Sequence, residues 1–210
     1  MAQGRALELG SASGVFMEKL RSEGWTVDGI EPGAEAAAEA RRRGFTVHCG
    51  PVETAPPPHE PYDLVVGWMV IEHLHEPLDV LQRLSEFSRP GAKLAISVPN
   101  AASQEARVFG DAWFALQLPT HLFHYSPRTI RMLLEAGGWR TVKVSHQRNL
   151  TNLVVSVGYR LQDRRPSSRV GAWMLDFPHK TKWHYATFPL AAIAAAVGQT
   201  GRMTIWAERV

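Results

Sequence analysis

The stretch "RALELGSASGVF", residues 5–16, decides the fold. An apolar run ends at Gly10, three small residues follow, and a second glycine at Gly14 opens a helical pattern. A strand-to-helix turn of this kind turns backbone N–H groups and a helix N-terminus toward an anionic group. A dinucleotide turn sets its glycines at offsets 0, 2 and about 5. Here Gly10 and Gly14 lie four apart, Ala12 stands between them and Val15 takes the last offset, which disfavours a dinucleotide.

Outward from that turn the chain alternates. "SGVFMEKLRSEG" places Phe16 and Leu20 at helical spacing and closes on glycine, and "TVDGIE" is a second strand. "AEAAAEARRRG" is a second helix, "FTVHCG" a third strand, "APPPHEP" a stiff loop and "YDLVVGW" a fourth strand. "EPLDVLQRLSEFSRPG" reads as a helix broken at Pro90-Gly91, and "AKLAISVPN" as a fifth strand apolar enough to be covered on both faces. "SPRTIRMLLEAGG" has a serine cap and proline at the first helical position, and "WRTVKVSHQ" is a sixth strand. After residue 150 the rhythm changes: "TNLVVSVGYRLQDRR" is helical, "PSSRVG" a loop, "FPLAAIAAAVG" a short apolar helix and "GRMTIWAERV" a last strand.

The expected fold is therefore α/β, a doubly wound, mainly parallel seven-stranded sheet in one domain spanning 1–210, with a helical excursion at 151–200 before the last strand. Ligands of such sheets bind beyond the carboxyl ends of the strands.

Composition narrows the partners. The chain has 210 residues and one cysteine, Cys49, so an internal disulfide is excluded and a reducing, cytoplasmic setting is expected. Cys49 itself reads as a small buried strand residue. The net charge of +3 hides an asymmetry: residues 1–139 carry 12 Lys+Arg against 17 Asp+Glu, residues 140–210 carry 11 against 3. A basic excess of that size attracts an anionic substrate, an acidic membrane surface or nucleic acid. No RNA-binding signature is visible, so nucleic acid is not expected. The mixture of Arg160, Arg164, Arg165, Arg169, Lys180 and Lys182 with Trp173, Trp183 and Tyr185 suits an acidic membrane interface, a solvated lid or a homodimer contact.

Four stretches in this order, "ELGSASG", "GIEP", "YDLVVGWMVIEHLHEP" and "WFALQLPTHLFHYSPRTIRMLLEAGGW", resemble the class I S-adenosylmethionine-dependent methyltransferases, in particular the quinone-biosynthesis-like branch of types 11 and 23. The resemblance covers residues 5–147 and the last strand, and implies a Rossmann-like methyltransferase fold with S-adenosylmethionine as cofactor. It implies a cofactor site of Glu8, Gly10, Ser11 and Gly14 at the first turn, Glu31 and Pro32 after the second strand, and Trp68 and Met69 at the end of the fourth. Glu31 takes the role of the carboxylate that accepts both ribose hydroxyls. Ala12 departs from the family's middle glycine, and Pro51 replaces the frequent acidic residue after the third strand, so Val52 or Glu53 is left to face the adenine.

Methyl transfer needs alignment above all, and a base where the acceptor is a hydroxyl or protonated amine. His73, His121 and His124 are the candidate catalytic residues, with His75 beside them, because histidine titrates near neutrality. No metal site is expected, since no cysteine cluster or tight carboxylate set supports one. Arg41, Arg42 and Arg43 read as a solvated helix end, Trp113 as a wall of the acceptor pocket and Trp206 as core. The expected activity is methyl transfer to an oxygen or carbon of a small or lipid-linked acceptor. The alternative is a non-catalytic binding module on a degenerate methyltransferase fold, because only four residues precede Arg5 where relatives carry closing helices; either a longer chain or an open pocket is expected.

Overall fold

The computed structural model describes residues 4–210. Seven strands form one sheet: β1 Arg5–Leu9, β2 Thr26–Glu31, β3 Thr46–Cys49, β4 Tyr62–Trp68, β5 Ser88–Pro99, β6 Trp139–His146 and β7 Arg202–Arg209, in the order β3-β2-β1-β4-β5-β7-β6. The pairs β1–β2, β1–β4, β2–β3 and β4–β5 are parallel. The last strand runs the other way along β6: the Val210 N–H donates to Gly138 O near one end and the Gln147 N–H to Arg202 O near the other. This is the doubly wound, mainly parallel sheet expected from the alternation, with the strand order reversing beside β1.

The chain divides into two compact units. The first takes residues through Ser97, Ile130–Lys143 and Ile205–Val210; the second takes Val98–Thr129 and Val144–Thr204.

In the first unit, α1 (Val15–Ser22) and α2 (Ala34–Arg42) cover one face of the sheet. Ala37 and Ala40 are fully buried there with Ala6, Met17 and Val47, and their small side chains let α2 approach the strands closely. The run Arg41–Arg43 is less idle than a solvated helix end. The Arg41 guanidinium donates to Val47 O at 2.7 Å, and Arg43 pairs with Glu39 and Glu18, both at 3.1 Å. Helix α3 (Pro77–Glu86) buries Val80, Leu81 and Leu84, and the indole of Trp139 donates to Leu81 O at 2.9 Å. Helix α5 (Pro127–Ala136) buries Ile130 and Leu134.

Pro90-Gly91 does not separate helix from strand. Both residues lie inside β5, whose pairing jumps from Tyr62↔Ser88 to Leu64↔Lys93; this irregularity holds the proline and glycine as surplus residues. Trp206 is not core: it is exposed, because the pleat of β7 turns Met203, Ile205 and Ala207 inward and their neighbours outward. Cys49 is exposed as well, at the last position of the edge strand β3.

The second unit is helical: α4 Gln104–Phe109, α6 Thr151–Arg164, α7 Arg169–Leu175 and α8 Thr181–Ala196. Gly158 of α6 faces α7 so closely that a side chain there would meet Leu175 and Met174 at 3.0 and 3.1 Å. "PSSRVG" is only half a loop, since Ser168 caps α7 by accepting from the Gly171 N–H. Helix α8 begins well before "FPLAAIAAAVG" and carries Pro189 inside it. Among the described residues no helix is long and apolar enough to cross a membrane.

Candidate functional site

The glycine turn after β1 is held by one carboxylate. At the end of β2, Glu31 accepts the Ala12 N–H on Oε2 and the Gly33 N–H on Oε1, both at 2.8 Å. The Gly10 and Ser11 N–H groups donate to Ile30 O at 2.9 and 3.2 Å, so the turn is tied to β2 on both sides. Gly10 has φ +67°, and a Cβ there would stand 2.6 Å from Val70 Cγ2. Gly14, with φ +83°, caps α1. Ala12 has φ +45°, a left-handed conformation that suits the glycine it replaces better than an alanine.

A cavity of about 580 Å³ opens at the carboxyl ends of β1, β2, β3 and β4, all within the first unit. This lies within the roughly 300–1,000 Å³ of small-molecule sites. Gly10 of the first turn, Glu31 and Pro32 after β2, Val52 and Glu53 after β3, and Trp68, Met69 and His73 after β4 all line it. Glu8, Ser11 and Gly14 stand outside the lining. Pro51 and His75 line it too, as do Leu9, Ile30, Gly50, Val70 and Leu74, which the sequence does not single out. Val70 carried a signal only in retrospect, since its contact with Gly10 depends on how β4 ends.

That ending is unusual. Met69 has φ +58°, and its N–H donates to Ser97 O at 2.9 Å. A long side chain held left-handed beside a cavity stores strain of the kind found at ligand sites. The short turn Val52–Thr54 is pinned from α3: the Arg83 guanidinium donates to Val52 O at 3.1 Å and to Ala55 O at 2.5 Å. Trp68 packs edge-on against Phe16 at 5.1 Å while also lining the cavity, so it serves core and pocket together.

Glu8 is buried, and burial pushes its carboxyl up to about 8 against the modest pull of the Met17 backbone N–H. Its Oε2, Ser11 Oγ and Trp68 Nε1 are buried without a hydrogen-bond partner. Such atoms are normally completed by water or by a polar ligand.

His121 and His124 belong to the second unit. His121 is buried and its Nδ1–H donates to Ala115 O at 2.8 Å. His124 is bound the opposite way round, its Nε2–H donating to Leu116 O at 2.9 Å. The rings stand 6.3 Å apart, and His124 lies 6.1 Å from the buried Trp113.

Residues 2–144 match the methyltransferase domain, and the chain belongs to that family, the class I S-adenosylmethionine-dependent methyltransferases. It is 27% identical over 158 residues to a ubiquinone biosynthesis O-methyltransferase of Cronobacter sakazakii, covering 71% of this chain and 64%, under two thirds, of that protein. Among solved structures it resembles an S-adenosylmethionine-dependent methyltransferase of Archaeoglobus fulgidus, with TM-score 0.63, 18% identity, and 99% and 86% of the two chains covered. It also resembles phosphoethanolamine N-methyltransferase 2 of Haemonchus contortus, solved with phosphomonomethylethanolamine and S-adenosylhomocysteine, with TM-score 0.64, 16% identity, and 100% and 49% covered. At these identities the structural likeness establishes the fold.

The residues present suit the family's cofactor, S-adenosylmethionine. Each Glu31 oxygen accepts one N–H and keeps acceptor capacity for a diol. The cavity wall is chiefly apolar, with few polar groups, and unsatisfied polar atoms stand at the first turn.

Proposed function

We propose that this chain transfers the methyl group of S-adenosylmethionine to a hydroxyl oxygen of a lipid-linked, quinone-type acceptor. The observation that carries this reading is the cavity at the ends of β1–β4 with the Glu31 carboxylate at its edge. The quinone-type acceptor is drawn from the ubiquinone O-methyltransferase relatives, and an oxygen nucleophile is favoured over carbon on the same ground.

The cofactor supplies an activated methyl on a sulfonium. Glu31 binds the ribose, Gly10 leaves room for the cofactor's backbone contacts, and Val52 and Glu53 flank the adenine. Trp68 and Met69 wall the reacting end and exclude water. His121 or His124 takes the hydroxyl proton. The other of the two and His73, at the cavity, orient the acceptor.

Titration calorimetry with S-adenosylmethionine, S-adenosylhomocysteine and NAD tests the first step: both sulfur compounds bind and NAD does not. Binding of NAD alone would end the reading. Turnover of labelled methyl onto a demethylated quinol tests the second, with His121→Ala or His124→Ala lowering it about 10²–10⁴-fold at unchanged cofactor affinity. Cofactor binding with no transfer to any hydroxyl acceptor would favour the non-catalytic binding module instead.

A further inference from the structure

Helix α8 is built inside out. Over Thr181–Ala196 it buries only Ala191, and the larger apolar side chains point to solvent. Leu190, Ile193 and Val197 just beyond the helix are 64%, 66% and 65% exposed, and they follow one another at helical spacing along one outward stripe with Ala186. Tyr185 and Trp183 flank the stripe at its N-terminal end, both exposed. The side turned inward carries Ala191, Ala194 and Ala195. A solvated helix of a water-soluble fold has the reverse arrangement.

The charge around it has one sign. Residues 144–204 carry eight Lys+Arg against two Asp+Glu, and one of the two acids, Asp176, is paired with Lys180 at 2.5 Å. Lys182 is exposed at the head of the outward stripe, and the Arg148 guanidinium lies 5.9 Å from the Phe188 ring. Sixteen residues give a rod of about 24 Å, short of the ~30 Å hydrocarbon core, so α8 does not span a bilayer. Exposed leucine and isoleucine with tryptophan and tyrosine beside them and lysine at the head are side chains suited to the interface of an acidic membrane.

We propose that α8 is a peripheral membrane anchor: it lays the Leu190–Ile193–Val197 stripe into the headgroup region of an anionic bilayer, with Lys182 against the lipid phosphates. A second copy of the chain would bury the same stripe, but it would bring the basic surfaces of two copies together, whereas an anionic surface neutralises them. The anchor stands independently of the methyl-transfer reading.

Co-sedimentation of the full chain with phosphatidylcholine vesicles, and with vesicles of equal parts phosphatidylcholine and phosphatidylglycerol, tests it. The chain sediments with the anionic vesicles at low salt, releases in about 1 M salt where screening is complete within ~3 Å, and shifts its tryptophan emission to the blue. The double variant Leu190→Asp/Ile193→Asp loses at least tenfold in vesicle affinity, and Lys182→Gln loses about fivefold. Unchanged S-adenosylhomocysteine binding by both shows that the first unit is intact. Failure to sediment at low salt, or equal sedimentation of the double variant, overturns the proposal. A doubled mass in solution that the double variant abolishes, without vesicle binding, assigns the stripe to a second copy instead.

Discussion

The two units of this chain use their apolar residues in opposite ways. In the first, alanines of α2 and leucines of α3 face the sheet and the solvent sees Glu, Arg and Lys. In the second, α8 turns alanines inward and shows leucine, isoleucine and tyrosine outward. The first is organised around a cavity and the turns that shape it, the second around a surface. Helices α2 and α3 show one apolar face in their spacing, whereas α8 is apolar nearly all round, so its pattern does not say which side is buried.

A buried glutamate in each unit, Glu8 in the first and Glu105 in the second, gives the largest expected effect. Glu8 in the first is pushed up to about 8 and Glu105 in the second to about 7, both chiefly by burial. A carboxyl whose folded value is raised binds its proton more tightly when folded. Its stabilising contribution is therefore full below about 4.5 and is lost as pH rises, completely so above the folded value. Glu8→Gln should gain stability over the native chain by about 1.4 kcal/mol per pH unit between about pH 5 and 7.5. Glu105→Gln should do the same but level off near pH 7. Urea unfolding across that range checks both, and parallel curves for native chain and variants would show that the carboxyls titrate normally.

Next in size, Glu31→Ala should weaken S-adenosylhomocysteine binding by about 1.5–3 kcal/mol in calorimetry, through lost hydrogen bonds to a charged group. Leu190→Asp in the other unit should leave that affinity unchanged. Ala12→Gly should stabilise the chain by about 1 kcal/mol by relieving the left-handed alanine, a rise of about 2–4 °C in midpoint for a chain of this size. Smallest of all, Leu190→Asp should change stability in urea unfolding by no more than about 0.5 kcal/mol, since the side chain is exposed. A large loss there would mean that α8 packs inward after all, and the contrast between the units would fall.

The first unit was largely legible in the sequence. Strand and helix alternate regularly from Arg5 to Cys49, glycines close α1 and α2, and Glu31 follows β2 where the resemblance expects it. What escaped there depended on geometry without a local signal. The left-handed Met69 sets the cavity wall, Arg83 reaches back from α3 to hold Val52, and Pro90-Gly91 is absorbed into a strand. For Trp206 and Cys49 residue type favours burial, while strand parity and an edge position put them outside. The second unit was less legible because its helices pack through single small or polar residues. Gly158 admits α7, and Ser156 both accepts the Phe114 N–H and donates to Asn152 O.

Cys49 is exposed, is the chain's sole thiol, and precedes Gly50 on the cavity wall. A thiol-reactive dye therefore attaches at a single place, one residue from the pocket lip, without any engineered site. Fluorescence of that label becomes a built-in gauge of cavity occupancy.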